Sequence, residues 1–208
     1  MLPHRHRSNL LAPLDLTDLP GNQKWSGKIA YLDRDGVLNV GSSSYINDIS
    51  EVVILPEAGR CVGELRRAGF RICICTNQSP IGRGWWDHNR LADIHDYIQS
   101  ELLLEDNAAI LDLILYSPYH PAMNAFARKG NPGMLQAGRQ IIEAAHNGTS
   151  LDESSFTYNE GYSPYDESGS VMVGDRGVDM IAAENHFVRG FRVDGLVGIL
   201  DVIDEILD

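Results

Sequence analysis

One stretch decides the fold of this 208-residue chain: Ile29-Ala30-Tyr31-Leu32-Asp33-Arg34-Asp35-Gly36. Four apolar residues are followed at once by two aspartates, two positions apart, and by a glycine. An apolar strand with a polar end is typical of the carboxyl edge of a parallel sheet, where open α/β folds bind their ligands. Asp33 can serve there as a nucleophile and metal ligand, and Asp35 as an acid or base. The two aspartates are explained equally well as polar residues that cap the strand and have no catalytic role.

Two later segments repeat this pattern of an apolar strand with a polar end. Residues 71–75 are followed by Thr76 and Asn77, and residues 170–173 run into Asp175. Because the carboxyl ends of parallel strands meet at one edge of a sheet, we expect these side chains to lie close together. Hydroxyl and amide groups can contact an anion, and carboxylates are the hard oxygen ligands that magnesium prefers.

A basic pair precedes a predicted helix. Arg128 and Lys129 stand just before Asn131 and Pro132, which read as a helix cap and a first-turn proline. Helix amino termini favour anions. Together with the acidic strand ends, this segment predicts a site for phosphate and magnesium.

The combined set of motifs resembles the haloacid dehalogenase (HAD) superfamily in order and spacing, over roughly residues 28 to 195. Longer strings around the same motifs resemble one branch, the heptose bisphosphate 7-phosphatases and the related histidinol-phosphate phosphatases, which carry little or no cap domain. The matching motifs are Asp33-x-Asp35-Gly36, Thr76-Asn77, Lys129 and Gly174-Asp175-x-x-x-Asp179.

The resemblance implies a Rossmann-like α/β fold, a parallel sheet with helices on both faces and no large cap domain. It also implies Mg²⁺-dependent hydrolysis of a phosphomonoester through an aspartyl phosphate on Asp33, with Asp35 as acid and then base. Metal ligands would be Asp33, Asp175 and the backbone carbonyl of Asp35. The other implied roles are phosphate binding by Gly36, Thr76, Asn77 and Lys129, support by Asp179 and Arg176, and substrate contacts by Arg128, Arg83, Asn39 and Tyr45.

The chain departs from that branch at its zinc-binding loop. Where the branch has a Cys-Pro-His-His loop and a later Cys-x-Cys, this chain has Ser117-Pro118-Tyr119-His120 and Ala125-Phe126-Ala127. Tetrahedral zinc needs four nitrogen or sulfur donors, so we predict no structural zinc. We expect Tyr116, Tyr119 and Phe126 to hold the loop by packing instead.

Substrate identity stays open at this stage. The resemblance implies a small sugar phosphate as substrate, most specifically D-glycero-D-manno-heptose 1,7-bisphosphate with removal of its 7-phosphate. Arg128 matches a family position associated with the far side of the bisphosphate, and a guanidinium suits a second phosphate. An arginine beside a functional lysine can equally pair with an acidic neighbour. Histidinol phosphate and a broader set of sugar phosphates are alternatives, and a non-catalytic HAD-like binding or scaffold protein is an alternative of another class.

Composition favours one compact, soluble, cytoplasmic domain over residues 28–208. A net charge of −12 argues against nucleic-acid partners, and no 20-residue apolar run predicts a membrane span. The positions of the three cysteines predict no disulfide framework, and we expect these residues to be buried, reduced thiols. Spacing predicts helices at 56–68, 88–104, 132–148 and 180–185, a closing helix at 196–207, and further strands at 110–116 and 191–193.

Two segments stand apart from this pattern. Residues 1–27 read as an N-terminal extension that starts with a solvated basic arm, and residues 150–170 read as an insertion longer than ordinary connections. Both lead into strands, so we expect both at the sheet edge opposite the catalytic ends. We hypothesise that they pack on each other or form a homo-oligomer contact, and that deleting residues 1–20 leaves the chemistry intact.

Overall fold

A computed structural model describes residues 1–208 and contains one six-stranded sheet. The strands lie in the order β1-β4-β3-β2-β5-β6, with β1 antiparallel to β4 and every other neighbouring pair parallel. Their bounds are β1 His4–Arg5, β2 Ile29–Leu32, β3 Arg71–Asn77, β4 Leu113–Ser117, β5 Val171–Gly174 and β6 Arg189–Arg192.

Helices cover both faces of the sheet, as the alternating side chains of its strands require. Helices α1 (Ala58–Arg67) and α2 (His88–Glu105) pack on one face in a cluster of 24 buried apolar residues. Helices α3 (Gly133–His146) and α4 (Gly177–Asn185) pack on the other, in a cluster of 15. A membrane span would need a longer and more apolar helix than any in this structure.

The chain changes direction across the sheet at β2. From β2 it passes to β3 and β4 on one side, and it later returns to β5 and β6 on the other. Such a reversal leaves a crevice beyond the carboxyl ends of the central strands. Asp33 follows β2 and Asp175 follows β5 at this crevice, while Thr76 and Asn77 close β3.

The end of the chain differs from its predicted form. Strand β6 spans Arg189–Arg192 rather than 191–193, and the predicted closing helix 196–207 is wrong: a 3-10 turn, Gly198–Asp201, precedes the short helix α5, Ile203–Leu207. The break has a steric cause. Gly198 has φ +71°, and a Cβ there would lie 2.5 Å from the Val37 carbonyl oxygen, so the backbone turns where only glycine fits.

The extension is docked on the domain instead of being solvated. Its residues His4 and Arg5 form β1 beside Tyr116 and Leu115, near the catalytic end of β4. The last residues of the extension reach the opposite edge, where the Ser26 hydroxyl donates to the Gly69 carbonyl, while the antiparallel edge strand brings its first residues to the catalytic side.

The insertion starts and ends at the opposite edge, as expected. Its last residue, Ser170, accepts a hydrogen bond from the N–H of Ile29, the first residue of β2. In between it runs along α3 and brings the Tyr158 hydroxyl to within 3.5 Å of the Met1 carbonyl oxygen. Leu10 and Leu14 of the extension share one apolar cluster with Leu151 of the insertion. The two segments pack on each other, and a homo-oligomer contact through them stays a prediction.

Candidate active site

A buried lysine joins two buried carboxylates at the crevice. Asp33 is fixed at the end of β2 by its N–H, which donates to the Val173 carbonyl at 2.9 Å. The Nζ atom of Lys129 lies 2.6 Å from Oδ1 of Asp33 and 2.7 Å from Oδ1 of Asp179. Asp33 is 7% exposed and Lys129 5%, so these charges are almost wholly shielded from water. Such charges persist in a protein interior only when they are paired.

The pKa values of Asp33 and Lys129 both differ from their ordinary values. Burial raises the pKa of Asp33 to about 7, with the positive charge of Lys129 working in the opposite direction. Burial alone would lower the pKa of Lys129, but the charges of Asp33 and Asp179 outweigh it and raise that pKa. The lysine is therefore held in its charged form beside the predicted nucleophile.

Asp175 faces the same group from the end of β5. A carboxylate oxygen from each of Asp33, Asp175 and Asp179 lies within 4.8 Å of the others. The Oδ1 atom of Asp175 is buried without a hydrogen-bond partner. An orphaned carboxylate oxygen beside further hard oxygen donors is what a magnesium ion requires, so these residues fit the predicted metal.

Gly36 allows the close approach of Asp175 that this site needs. It has φ +79°, and a Cβ there would lie 2.7 Å from the Asp175 Cγ atom. The predicted phosphate-binding residue thus has a steric role that its position in the turn did not reveal.

The two residues at the end of β3 line the cleft, and one of them fixes the lysine. The Asn77 Oδ1 atom accepts a hydrogen bond from the Lys129 backbone N–H at 3.0 Å. The Thr76 Oγ1 atom accepts from the Gln78 amide at 2.9 Å. Both side chains face the same cavity as Asp33.

Three donors hold the Asp35 carboxylate. Arg34, which is 1% exposed, donates to both of its oxygens at 2.8 Å, Asn39 donates to Oδ1 at 2.9 Å, and Gln78 donates to Oδ2 at 3.2 Å. Burial favours a raised pKa for Asp35, but Arg34 and the two amides outweigh it and lower the pKa. The Asp35 side chain is not part of the carboxylate group around Asp175, and its backbone carbonyl stays the predicted metal contact.

Asn39 was predicted to contact substrate, and this interpretation is wrong. The residue is fully buried, and its amide is used by Asp35 and by the Val40 carbonyl. The roles of Arg34 and Gln78 were missed. A signal for Arg34 was available, since a charged residue between two carboxylates at a buried strand end needs a partner there.

A cleft of about 510 Å³ opens above these groups. Of the predicted substrate contacts, Arg128 and Tyr45 line it and Arg83 does not. The Arg83 guanidinium instead lies over the Trp85 ring, 5.3 Å from its centroid. Arg176, predicted as supporting, also lines the cleft. Sequence reasoning did not single out the other lining residues, which carry no motif of their own: Ser42, Ser43, Ser79, Gly177, Val178 and Ile181.

The loop of residues 117–127 is held by aromatic contacts. The Phe126 ring packs edge-on against Tyr158 at 5.0 Å between centroids, and the Tyr119 hydroxyl donates to the Leu2 carbonyl at 2.8 Å. At the start of the loop, the Tyr116 hydroxyl lies 2.8 Å from Nδ1 of His88. The insertion thus supplies the partner of Phe126, the extension that of Tyr119, and helix α2 that of Tyr116.

Proteins similar in sequence to this chain are named enzymes, although no protein-family model matches the chain. The D-glycero-beta-D-manno-heptose-1,7-bisphosphate 7-phosphatase of Pseudomonas aeruginosa is 37% identical over 126 residues, covering 61% of this chain and 67% of that protein. The protein of the same name from Mesorhizobium japonicum is 30% identical over 174 residues, covering 79% of this chain and 69% of that protein.

Solved structures agree on the fold. The D,D-heptose 1,7-bisphosphate phosphatase of B. bronchiseptica, crystallised with magnesium and phosphate, has a TM-score of 0.66 at 24% identity, covering 86% of this chain and 98% of that chain. A HAD-like phosphatase from Mesorhizobium loti has a TM-score of 0.60 at 25% identity, covering 94% and 98%. The α/β fold, with its mostly parallel six-stranded sheet, is therefore shared with these structures.

Proposed function

The chain belongs to the family of D-glycero-D-manno-heptose 1,7-bisphosphate 7-phosphatases, and on this premise we propose that it removes the 7-phosphate of a heptose 1,7-bisphosphate with the help of Mg²⁺. The phosphatases of the family hydrolyse phosphomonoesters.

One observation carries the proposal. The Lys129 ammonium lies between Asp33 and Asp179, at 2.6 and 2.7 Å, below a cleft at the sheet reversal. A carboxylate next to a fixed positive charge can approach an anionic phosphate, because the lysine offsets the repulsion between them. Burial makes this offset stronger than it is in water.

The reaction proceeds by two displacements. Asp33 attacks the phosphorus atom, the bond from phosphorus to the sugar oxygen breaks, and an aspartyl phosphate forms. Water then attacks the phosphorus of that intermediate and releases inorganic phosphate and the free carboxylate. Lys129 and the polar ends of β3 stabilise the charge on the transferred oxygens.

Asp35 moves the protons in both steps. The leaving sugar oxygen takes a proton from Asp35, and Asp35 takes one from the attacking water. Arg34, Asn39 and Gln78 favour the ionised form in the free protein, so Asp35 must gain its proton once the negative phosphate lies beside it. The same three contacts aim the carboxylate while its charge changes.

Magnesium fits the oxygens of Asp33 and Asp175, with Asp179 beside them. When bound, it supplies positive charge that offsets the repulsion between the nucleophile and the phosphate. Gly36 keeps Asp175 within reach of this position.

Phosphate release tests the proposal directly. The protein is assayed with MgCl₂ on both anomers of heptose 1,7-bisphosphate and on histidinol phosphate, with Asp33→Asn as the control that keeps the shape of the side chain. We expect the highest kcat/KM for a bisphosphate, loss of turnover with EDTA, and a fall of at least about 10³-fold in the control. A higher kcat/KM for histidinol phosphate would contradict the proposed substrate. The absence of phosphate release from every ester would favour a non-catalytic protein.

A further inference from the structure

We infer that residues 1–7, called the arm, position Arg128 at the mouth of the cleft and thereby set recognition of the second anionic group of the substrate. The inference rests on the proposed function, since Arg128 meets a second anion only if the substrate is a bisphosphate. It assigns a role in specificity to a segment that sequence reasoning treated as dispensable for the chemistry.

Arg128 has no acidic partner. Among the ion pairs of the chain, none includes this residue, although its side chain lines the cleft. Burial lowers the pKa of its guanidinium, and the charges of Arg83 and Arg176 contribute in the same direction. A half-buried arginine near two others is not explained as one half of a structural salt bridge, and it suits an anionic ligand.

The guanidinium is oriented by a single hydrogen bond within the protein. Its Nη1 atom donates to the Tyr119 carbonyl oxygen at 3.2 Å. Lys129, by contrast, is fixed independently, by Asn77 at its backbone and by Asp33 and Asp179 at its ammonium. Movement of Tyr119 would therefore displace Arg128 and leave the catalytic lysine in place.

The arm fixes Tyr119. The Tyr119 hydroxyl donates to the Leu2 carbonyl at 2.8 Å, and its ring meets the His4 ring edge-on at 6.0 Å between centroids. His4 in turn pairs with Tyr116 in the sheet and stacks on His88 at 4.8 Å with an angle of 13° between the rings.

The end of the arm is tied to helix α2. The His6 Nε2 atom lies 2.9 Å from Oδ1 of Asp96, and Arg7 donates to Asp93 and Asp96, each at 2.8 Å. The arm is thus anchored on β4 and α2 and reaches the loop that carries Arg128. These contacts form a continuous path from the arm to the cleft.

Two variants test the inference against a matched control. Tyr119→Phe removes only the hydroxyl that meets Leu2, and deletion of residues 2–7 removes the arm. Tyr165→Phe is the control, since the Tyr165 hydroxyl makes no hydrogen bond within the protein. The measured quantity is KM for heptose 1,7-bisphosphate divided by KM for heptose 7-phosphate.

We expect Tyr119→Phe to raise this ratio about three- to tenfold, the size of effect that one hydrogen bond has, and the deletion to raise it further. The ratio should stay unchanged in the control, and kcat should change much less than KM in both test variants. An unchanged ratio in Tyr119→Phe would overturn the inference, whether or not the deletion variant folds.

Hydrogen exchange separates this outcome from a failure of the proposed function. Residues 117–128 should exchange faster in Tyr119→Phe than in Tyr165→Phe, and equal rates would overturn the role of the arm. Lack of turnover in the unmodified protein would instead contradict the proposed function and leave the exchange result to decide whether the arm holds the loop.

Discussion

Lys129 Nζ lies 2.6 Å from Asp33 Oδ1, and both side chains are almost wholly buried at the base of the cleft. The Nζ atom of Lys129 holds the nucleophile Asp33 in place and also supplies positive charge to the reaction. Removing Lys129 leaves two buried carboxylates without a cation, which costs about 3–5 kcal/mol of folding free energy, whereas removing Asp33 leaves the lysine paired with Asp179. Stability and activity are therefore coupled at this contact.

Replacing Lys129 by methionine tests that coupling. We expect Lys129→Met to lower kcat by at least about 10³-fold and to destabilise the metal-free protein by about 3–5 kcal/mol, because Asp33 and Asp179 then face each other without a cation. Adding Mg²⁺ should restore part of the stability. Urea unfolding and phosphate release measure the two effects, and Lys24→Met at an exposed position is the control. Full stability in metal-free Lys129→Met would contradict the account.

Gly36 offers a test of the position of Asp175. Gly36→Ala should raise the Mg²⁺ concentration needed for half-maximal activity by at least about tenfold, because the new Cβ meets Asp175 at 2.7 Å. Gly148→Ala is a matched control: Gly148 also has a positive φ, +63°, but a Cβ there meets nothing within 4 Å. Both variants carry a backbone cost of about 1–2 kcal/mol. Equal magnesium requirements in the two would rule out the clash.

Asn39 tests the role of Asp35 in proton transfer. Asn39→Ala removes one of the donors that hold the Asp35 carboxylate. We expect kcat on the sugar phosphate to fall about tenfold, since a hydrogen bond to a charged group contributes about 1.5–3 kcal/mol. p-Nitrophenyl phosphate should be affected less, because its leaving group needs no proton. Equal loss on both esters would speak against a proton-transfer role, and Asn89→Ala on the exposed surface of α2 is the control.

Glu167 gives a prediction about pH. Burial would raise its pKa, but hydrogen bonds and charge from Arg139, followed by His186, lower it to about 2 from an ordinary value of 4.5. Because the folded pKa lies below the unfolded one, the stabilisation is complete above about pH 4.5 and is lost as the pH falls towards 2. Over this window the protein should lose about 3 kcal/mol.

The Glu167→Gln variant should lack this pH-dependent loss and should be less stable at neutral pH, since Arg139 loses its buried partner. Glu153→Gln, at an exposed position, should follow the unmodified protein. Denaturant unfolding between pH 2 and 7 measures the difference. Parallel curves for the unmodified protein and Glu167→Gln would show that this carboxylate does not drive the acid sensitivity.

Much of the core site could be predicted from sequence. Apolar strands that end in polar residues identified the ends of β2, β3 and β5, because strand direction alone brings those ends to one edge. The structure brings Asp33, Asp175 and Lys129 together there. The HAD-like fold and the phosphatase family were also predicted, and both are confirmed.

Side-chain direction could not be predicted in the same way. Asn39 and Arg83 lie in the right loops, but the first points to Asp35 and the second to Trp85. The two-residue strand β1 escaped prediction because it is too short to show a periodic pattern. Its partner, β4, lies far along the chain, so no local signal reveals the pairing.

That distance has a consequence for how the native protein forms and opens. The Tyr119 hydroxyl and the Leu2 carbonyl are separated by 117 positions, so closing this contact carries a large loop-entropy cost and must wait until β4 exists. Segments added last and held by few buried apolar groups are usually released first in native-state fluctuations. The arm thus joins the folded structure late, although it precedes the domain in the chain, and partial opening should begin at strand β1 while the central strands stay intact.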